Sequence, residues 1–174
     1  FLVGTDLGGL VTMKSFVAVL AFFLCFSAEQ SRDTDIFETK AKQAFLVDAD
    51  TGTILFEKDA DALIPPASLA KLMTMELVFQ AIKSGKRSQD DLIHISENAW
   101  RTGGAPSGGS TMFAKLNSDI RIADLIRGVI VQSANDACIA IAEAFSGSES
   151  AFAETMTAHA REIGLSRSVF KNST

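Results

Sequence analysis

Ser68 and Lys71 stand three residues apart in PPASLAKLMT (65–74), a spacing that puts both on one helical face within about one turn. A serine hydroxyl becomes a working nucleophile when a neighbouring base takes its proton. Lysine can be that base where desolvation favours its neutral amine. Lys71 is the sole cation between Ser68 and Lys83, in a segment that carries Leu69, Leu72, Met73, Leu77, Val78 and Phe79. A helix apolar on nearly every side is expected to be buried. Pro65-Pro66 fixes the approach, and a place near the helix N-terminus would give Ser68 backbone N–H groups that favour developing negative charge. A plainer reading stands beside this one: Ser68 caps the helix and Lys71 reaches past the apolar surface to water.

The letters alone do not decide, because Ser-x-x-Lys occurs again at Ser168 to Lys171, in a segment with no apolar helix behind it. Ser-x-Asn also occurs twice. Ser96-Glu97-Asn98 reads as the cap and first turn of a short helix. Ser133-Ala134-Asn135 instead interrupts two strongly apolar helices, so its backbone must turn in a buried setting; capping, with Asn135 before Asp136, is the alternative there. GGAPSGGS (103–110) lacks the Gly-Lys-Ser/Thr ending of a phosphate loop and reads as a loop at a surface or cleft edge. His159 falls on the stripe Phe152-Met156-His159-Ile163, a semi-buried core position rather than a ligand, and His94 has no second ligand near it in sequence.

The elements that must hold these residues follow from hydropathy and turn chemistry. QAFLVD (43–48) and TILFEK (53–58) flank Ala49-Asp50-Thr51-Gly52 and read as a β-hairpin. A helix is expected over 68–84, stopped by Gly85. A strand follows at 92–96, a short helix at 96–100, a strand at 111–116 and a turn at 117–119. Helices are expected over 122–131 and 136–145, then one capped by Ser148 and ending at Gly164. Hairpin strands followed mostly by helices make an α+β chain.

Composition narrows the chemistry further. The chain has 174 residues, 47% hydrophobic and 21% charged, with a net charge of −5, so a broad nucleic-acid footprint is not expected. Two histidines leave little room for a multi-histidine metal site, and the absence of tyrosine removes the phenol as acid or base. Residues 1–12 carry no usable pattern and read as an upstream extension. Met13-Lys14-Ser15, then the apolar FVAVLAFFLCF (16–26), then Ser27-Ala28, reads as a signal peptide over 13–28, cleaved after Ser27 or Ala28. The apolar run is shorter than the roughly 18–20 residues of a spanning helix; an N-terminal anchor is the alternative. Residues 29–174 are then exported, with Cys138 as their single cysteine. It lies in ACIAIAEAF and is expected to be a buried thiol.

PPASLAKLMT (65–74) and QSANDACIAIAEAF (132–145), in that order, resemble the D-alanyl-D-alanine carboxypeptidases, the low-molecular-weight penicillin-binding proteins. AFLVDADTGTILFEKDAD (44–61) and AREIGLSRSVFKNST (160–174) extend the likeness through most of 29–174. The resemblance implies a β-lactamase/transpeptidase-like α+β fold, with helices packed on an antiparallel sheet. It implies that Ser68 attacks the carbonyl between the two terminal D-alanines of a peptidoglycan stem peptide and forms an acyl-enzyme. Lys71 would take the serine proton, Ser133 would pass protons between Lys71 and the leaving amine, and Asn135 would hydrogen-bond the substrate backbone. β-Lactams would acylate the same Ser68. No metal or organic cofactor is implied, and the place of action is the periplasm or the outer face of the cytoplasmic membrane.

That family also uses a Lys-Thr-Gly motif downstream of the Ser-x-Asn pair. Lys83-Ser84-Gly85 and Arg101-Thr102-Gly103 are the nearest matches, and both precede Ser133. The chain therefore reads as the N-terminal part of such a domain, ending before the remaining sheet strands. Membrane association would come only through a further C-terminal segment. A class A β-lactamase is the rival enzyme; it needs a deacylating glutamate in a Glu-x-x-Leu-Asn setting, and Glu162-Ile163-Gly164-Leu165 is followed by Ser166 instead. A non-catalytic peptidoglycan-binding or inactive fragment is the rival of a different class.

Overall fold

The structure, a computed structural model, describes residues 38–174. The expected extension (1–12) and signal peptide (13–28) lie outside the described residues. The chain falls into two compact units, one ending at Leu63 and the other spanning Ile64–Thr174.

The first unit holds the expected hairpin. β1 (Ala44–Val47) pairs antiparallel with β2 (Ile54–Lys58), with Phe45 opposite Glu57 and Leu46 opposite Phe56. A bulge between Leu46 and Val47 lets Val47 pair with Ile54, so Leu55 is the extra residue. The turn is closed by Gly52 N–H on Asp48 C=O at 2.9 Å. The Asp48 carboxylate accepts from the Thr51 hydroxyl at 2.6 Å and its N–H at 2.8 Å, and these bonds hold the Asp48 carboxyl below the usual carboxylate range.

In the second unit a 3₁₀ turn, Ala67–Leu69, leads into α1 (Ala70–Lys83). The helix stops where expected: Gly85, at φ +71°, donates its N–H to Ile82 C=O. β3 (Leu92–His94) pairs antiparallel with β4 (Asp119–Arg121), placing Ile93 opposite Ile120. Between them run a π-helical turn, Ala99–Gly103, and a 3₁₀ turn, Ala105–Ser107. α2 (Ile122–Gln132), α3 (Asn135–Ser146) and α4 (Glu149–Glu162) complete the unit. Ser148 caps α4 as expected, accepting from Ala151 N–H at 3.2 Å.

Two expectations need correction. TMFAKL (111–116) is not a strand: the N–H groups of Met112 and Ala114 go to the Asp136 carboxylate, and Phe113 sits at φ +60°. The Phe113 N–H goes to Thr111 Oγ1, so three successive donors are committed away from a ladder. The second strand of the pair comes instead from 119–121, where turn residues had hidden it. Nor is α1 buried on every side. Met73, Thr74 and Val78 face the core, whereas Leu72 and Phe79, like Leu69 in the preceding 3₁₀ turn, are exposed.

The core is organised around α3, in which every residue from Asp136 to Ala142 is buried. A helix apolar nearly all round must be surrounded, and its alanines let neighbours come close. Phe152 of α4 meets Phe145 edge-on, with centroids 6.3 Å apart. Arg87 lies 5.2 Å above the Phe145 ring and donates to the Ala144 carbonyl, placing a cation at the C-terminal end of α3. At the other end, the π turn comes so near that a Cβ on Gly103 would lie 2.5 Å from the Asp136 backbone nitrogen. Backbone cannot give way as a side chain can. Gly103→Ala should therefore lower stability by about 1–3 kcal/mol, as overpacking typically does, measured by urea unfolding; an unchanged midpoint would show that this contact is looser than described.

Candidate active site

The residues singled out by spacing meet at the start of α1. Ser68 lies in the 3₁₀ turn, exposed, and Lys71 lies one turn on with 6% exposure. Lys71 Nζ is 3.1 Å from Ser68 Oγ and 3.1 Å from Ser133 Oγ. No carboxylate among the described residues pairs with this amine. Neither Ser68 nor any other side chain caps the 3₁₀ turn or α1, so the capping reading of Ser68 is set aside. The snorkelling reading of Lys71 is set aside with it, since the amine ends on two hydroxyls rather than in water.

Ser133 reaches Lys71 because its backbone turns sharply. It closes α2 at φ +53°, ψ +38°, and the chain re-enters a helix at Asn135. A non-glycine residue in the left-handed region is uncommon, and such conformations gather where a site requires them. Asn135 opens α3; its N–H donates to Ser110 C=O at 2.9 Å. Its side-chain amide lies against Gly109, where a Cβ would come within 3.1 Å of Nδ2. The glycine-rich loop 103–110 thus borders Asn135, in keeping with a cleft-edge loop. Ser68, Lys71 and Ser133 are in hydrogen-bonded contact, and Asn135 follows two residues after Ser133.

The other copies of these motifs do local work. Ser96 Oγ accepts from Ala99 N–H at 2.9 Å, a helix cap, and Asn98 donates to Glu143. Lys171 is exposed in the segment after α4. His159 is 8% exposed, with Nδ1 3.0 Å from Glu162 and Nε2 3.1 Å from Gln80, and His94 pairs with Asp119. Among the described residues no three His, Cys, Asp or Glu side chains converge as a metal ion would need.

Sequence reasoning passed over Asp136, which is fully buried with its carboxylate saturated by donors. A charged residue directly before the apolar run 137–142 was the available signal, since carboxylates are almost never fully buried unless paired. Cys138, two residues further along α3, is fully buried as expected.

The family model of the D-alanyl-D-alanine carboxypeptidases matches residues 27–174. The carboxypeptidase DacC of Escherichia coli is 38% identical over 166 residues, covering 95% of this chain and 41% of DacC. Among solved structures, penicillin binding protein 5 of Haemophilus influenzae superposes with a TM-score of 0.74 at 39% identity, covering 79% of this chain and 39% of that one. Penicillin-binding protein D2 of Listeria monocytogenes, in its ampicillin-bound form, gives 0.64 at 26% identity, covering 76% and 51%. The chain spans less than half the length of the curated relatives it matches.

Desolvation pushes the Cys138 thiol up to about 12; the Lys71 charge opposes this, and Glu149 and Asp136 add to it. The unfolded chain releases this proton near 8.5 while the folded chain keeps it. The thiol's contribution to stability is therefore complete below the unfolded value and is lost as pH rises towards about 12. A disulfide reagent at pH 8 should leave Cys138 of the folded, processed chain untouched and label it on unfolding; rapid labelling of the folded chain would contradict its burial.

Proposed function

The chain belongs to the D-alanyl-D-alanine carboxypeptidase family, with the fold of the penicillin-binding proteins, and on that premise we propose that Ser68 is the nucleophile of a serine-type acyl transfer on peptidoglycan stem peptides ending in D-Ala-D-Ala. The observation that carries this reading is the Lys71 amine, held 3.1 Å from both Ser68 Oγ and Ser133 Oγ. That is hydrogen-bond reach for a base and its nucleophile.

The chemistry runs as follows. Ser68 Oγ bonds to the carbonyl carbon of the penultimate D-alanine as Lys71 takes the hydroxyl proton. The tetrahedral intermediate breaks its C–N bond, and the leaving D-alanine amine receives a proton passed from Lys71 through Ser133. Asn135 hydrogen-bonds the substrate backbone. Water then attacks the ester, freeing the shortened peptide and restoring the Ser68 hydroxyl. A β-lactam acylates Ser68 by the same attack; its ring opens, so the amine stays tethered. Residues 29–174 act outside the cytoplasmic membrane, after removal of the 13–28 signal. Among the described residues no helix is long and apolar enough to cross a membrane.

The β-lactamase alternative loses support from Glu162. That carboxylate is engaged by His159, which packs on Gln80, nine residues along α1 from Lys71 and so roughly 13 Å away along the axis. The inactive-fragment alternative rests on there being no Lys-Thr-Gly between Ser133 and Thr174, because losing one oxyanion donor costs about 10²–10³ in turnover.

Incubating the processed chain with a labelled penicillin separates these readings. A long-lived adduct mapped to Ser68, absent from Ser68→Ala, is expected. Rapid release of opened drug would favour the β-lactamase reading. A folded chain that takes up no label would leave the binding or inactive fragment.

A further inference from the structure

Ser133 has no helix of its own. It is strung between the last turn of α2 and the first turn of α3, in a conformation that a serine rarely adopts, and its reach to Lys71 depends on how far apart those two helix ends are held. One buried group touches the determinants of both. The Asp136 carboxylate is 0% exposed and accepts four hydrogen bonds. Oδ1 takes the N–H of Met112 at 3.1 Å and of Ala137 at 3.0 Å. Oδ2 takes the Thr111 hydroxyl at 2.7 Å and the Ala114 N–H at 3.0 Å.

Each bond has a positional consequence. The Ala137 bond satisfies a donor in the first turn of α3, a helix whose N-cap residue, Ala134, has no side chain to offer. The Met112 bond fixes the residue whose side chain lies on α2: a Cβ on Gly128 would stand 2.6 Å from Met112 Sδ. Gly128 C=O in turn accepts the N–H of Ala134 and of Ser133. The chain of contacts therefore runs from Asp136 through Met112 to Gly128, and from Gly128 back to the turn that carries Ser133. The Thr111 and Ala114 bonds hold the intervening segment against slipping, and Ser110, next in the chain, receives the Asn135 N–H.

We propose that Asp136 is a positioning residue for the reaction: its carboxylate sets the separation of the α2 and α3 ends and thereby holds Ser133 Oγ within hydrogen-bond reach of Lys71. It touches neither substrate nor the reacting atoms. The chemical consequence rests on the function proposed above, while the geometric consequence does not.

The hydroxyl of Thr111 provides the gentlest perturbation. Thr111→Val removes that donor, and with it the acceptor of the Phe113 N–H at 3.0 Å, and keeps the shape and the three backbone bonds to Asp136; Thr111→Ser restores the hydroxyl. Asp136→Asn is the stronger change, because its amide turns one acceptor into a donor facing the Ala114 N–H or its counterpart at Oδ1. Crystal structures of the variants should show the Ser133 Oγ–Lys71 Nζ distance lengthened beyond 3.5 Å, the limit of a hydrogen bond, in Asp136→Asn and Thr111→Val, and normal in Thr111→Ser. Stopped-flow acylation by a fluorescent penicillin should show the loss in the acylation rate constant rather than in the prior binding constant. The expected fall is about 10²-fold for Asp136→Asn, the scale of a misplaced catalytic group, smaller for Thr111→Val, and absent for Thr111→Ser. If Asp136→Asn does not fold, the Thr111 pair carries the test. An unchanged distance in Thr111→Val overturns the proposal, as does an equal acylation rate for all the variants that fold. Should the unaltered chain not react with penicillin, the proposed function fails, and the crystallographic distance still decides the role of Asp136.

Discussion

A lysine amine enclosed in protein has to be met by hydrogen-bonding groups or it destabilises the fold. At Lys71 those groups are two serine hydroxyls, and no carboxylate among the described residues joins them. This arrangement sets the demands on its surroundings. A hydroxyl contributes less than a charge, so each must be held at the right distance by backbone that does not move. On one side, Pro65-Pro66 and the 3₁₀ turn hold Ser68 at the head of α1. On the other, a left-handed turn brings Ser133 across from a distant part of the chain. α3, buried at every residue from Asp136 to Ala142, packs directly behind that turn.

Under the proposed function, the two hydroxyls that meet this amine are the nucleophile and the group that passes its proton on. Buried polar groups in this unit are otherwise committed. Asp136 is saturated with donors, Thr74 donates to the Ser173 carbonyl, and Ser173 is bound to Glu149. These groups hold the frame around the Ser68–Lys71–Ser133 contact.

Much of the site was legible because helix spacing is a local rule: residues three apart share a face, so Ser68 and Lys71 could be paired from their letters. A separation of 62 positions between Lys71 and Ser133 follows no local rule, and the likeness to a family supplied that half of the site. The failures have a common cause. TMFAKL (111–116) read as a strand, but a carboxylate more than twenty residues away claims the N–H groups of Met112 and Ala114. At 119–121 a three-residue strand is too short to show alternation beside an Asn-Ser-Asp turn. Along α1 and the 3₁₀ turn before it, Leu69, Leu72 and Phe79 state that the helix favours burial without stating what covers it. Pattern reports preference; long-range partners decide which preference is met.

Under the proposed function Lys71 moves a proton and is not merely a buried positive charge. Lys71→Arg tests this directly, since arginine keeps the charge and the donors but does not give up its proton. The acylation rate of Ser68 by a labelled penicillin should fall by about 10²–10⁴-fold, the scale of a lost general base, while unfolding stays cooperative. A Lys71→Arg chain acylated at the unaltered rate would contradict the account.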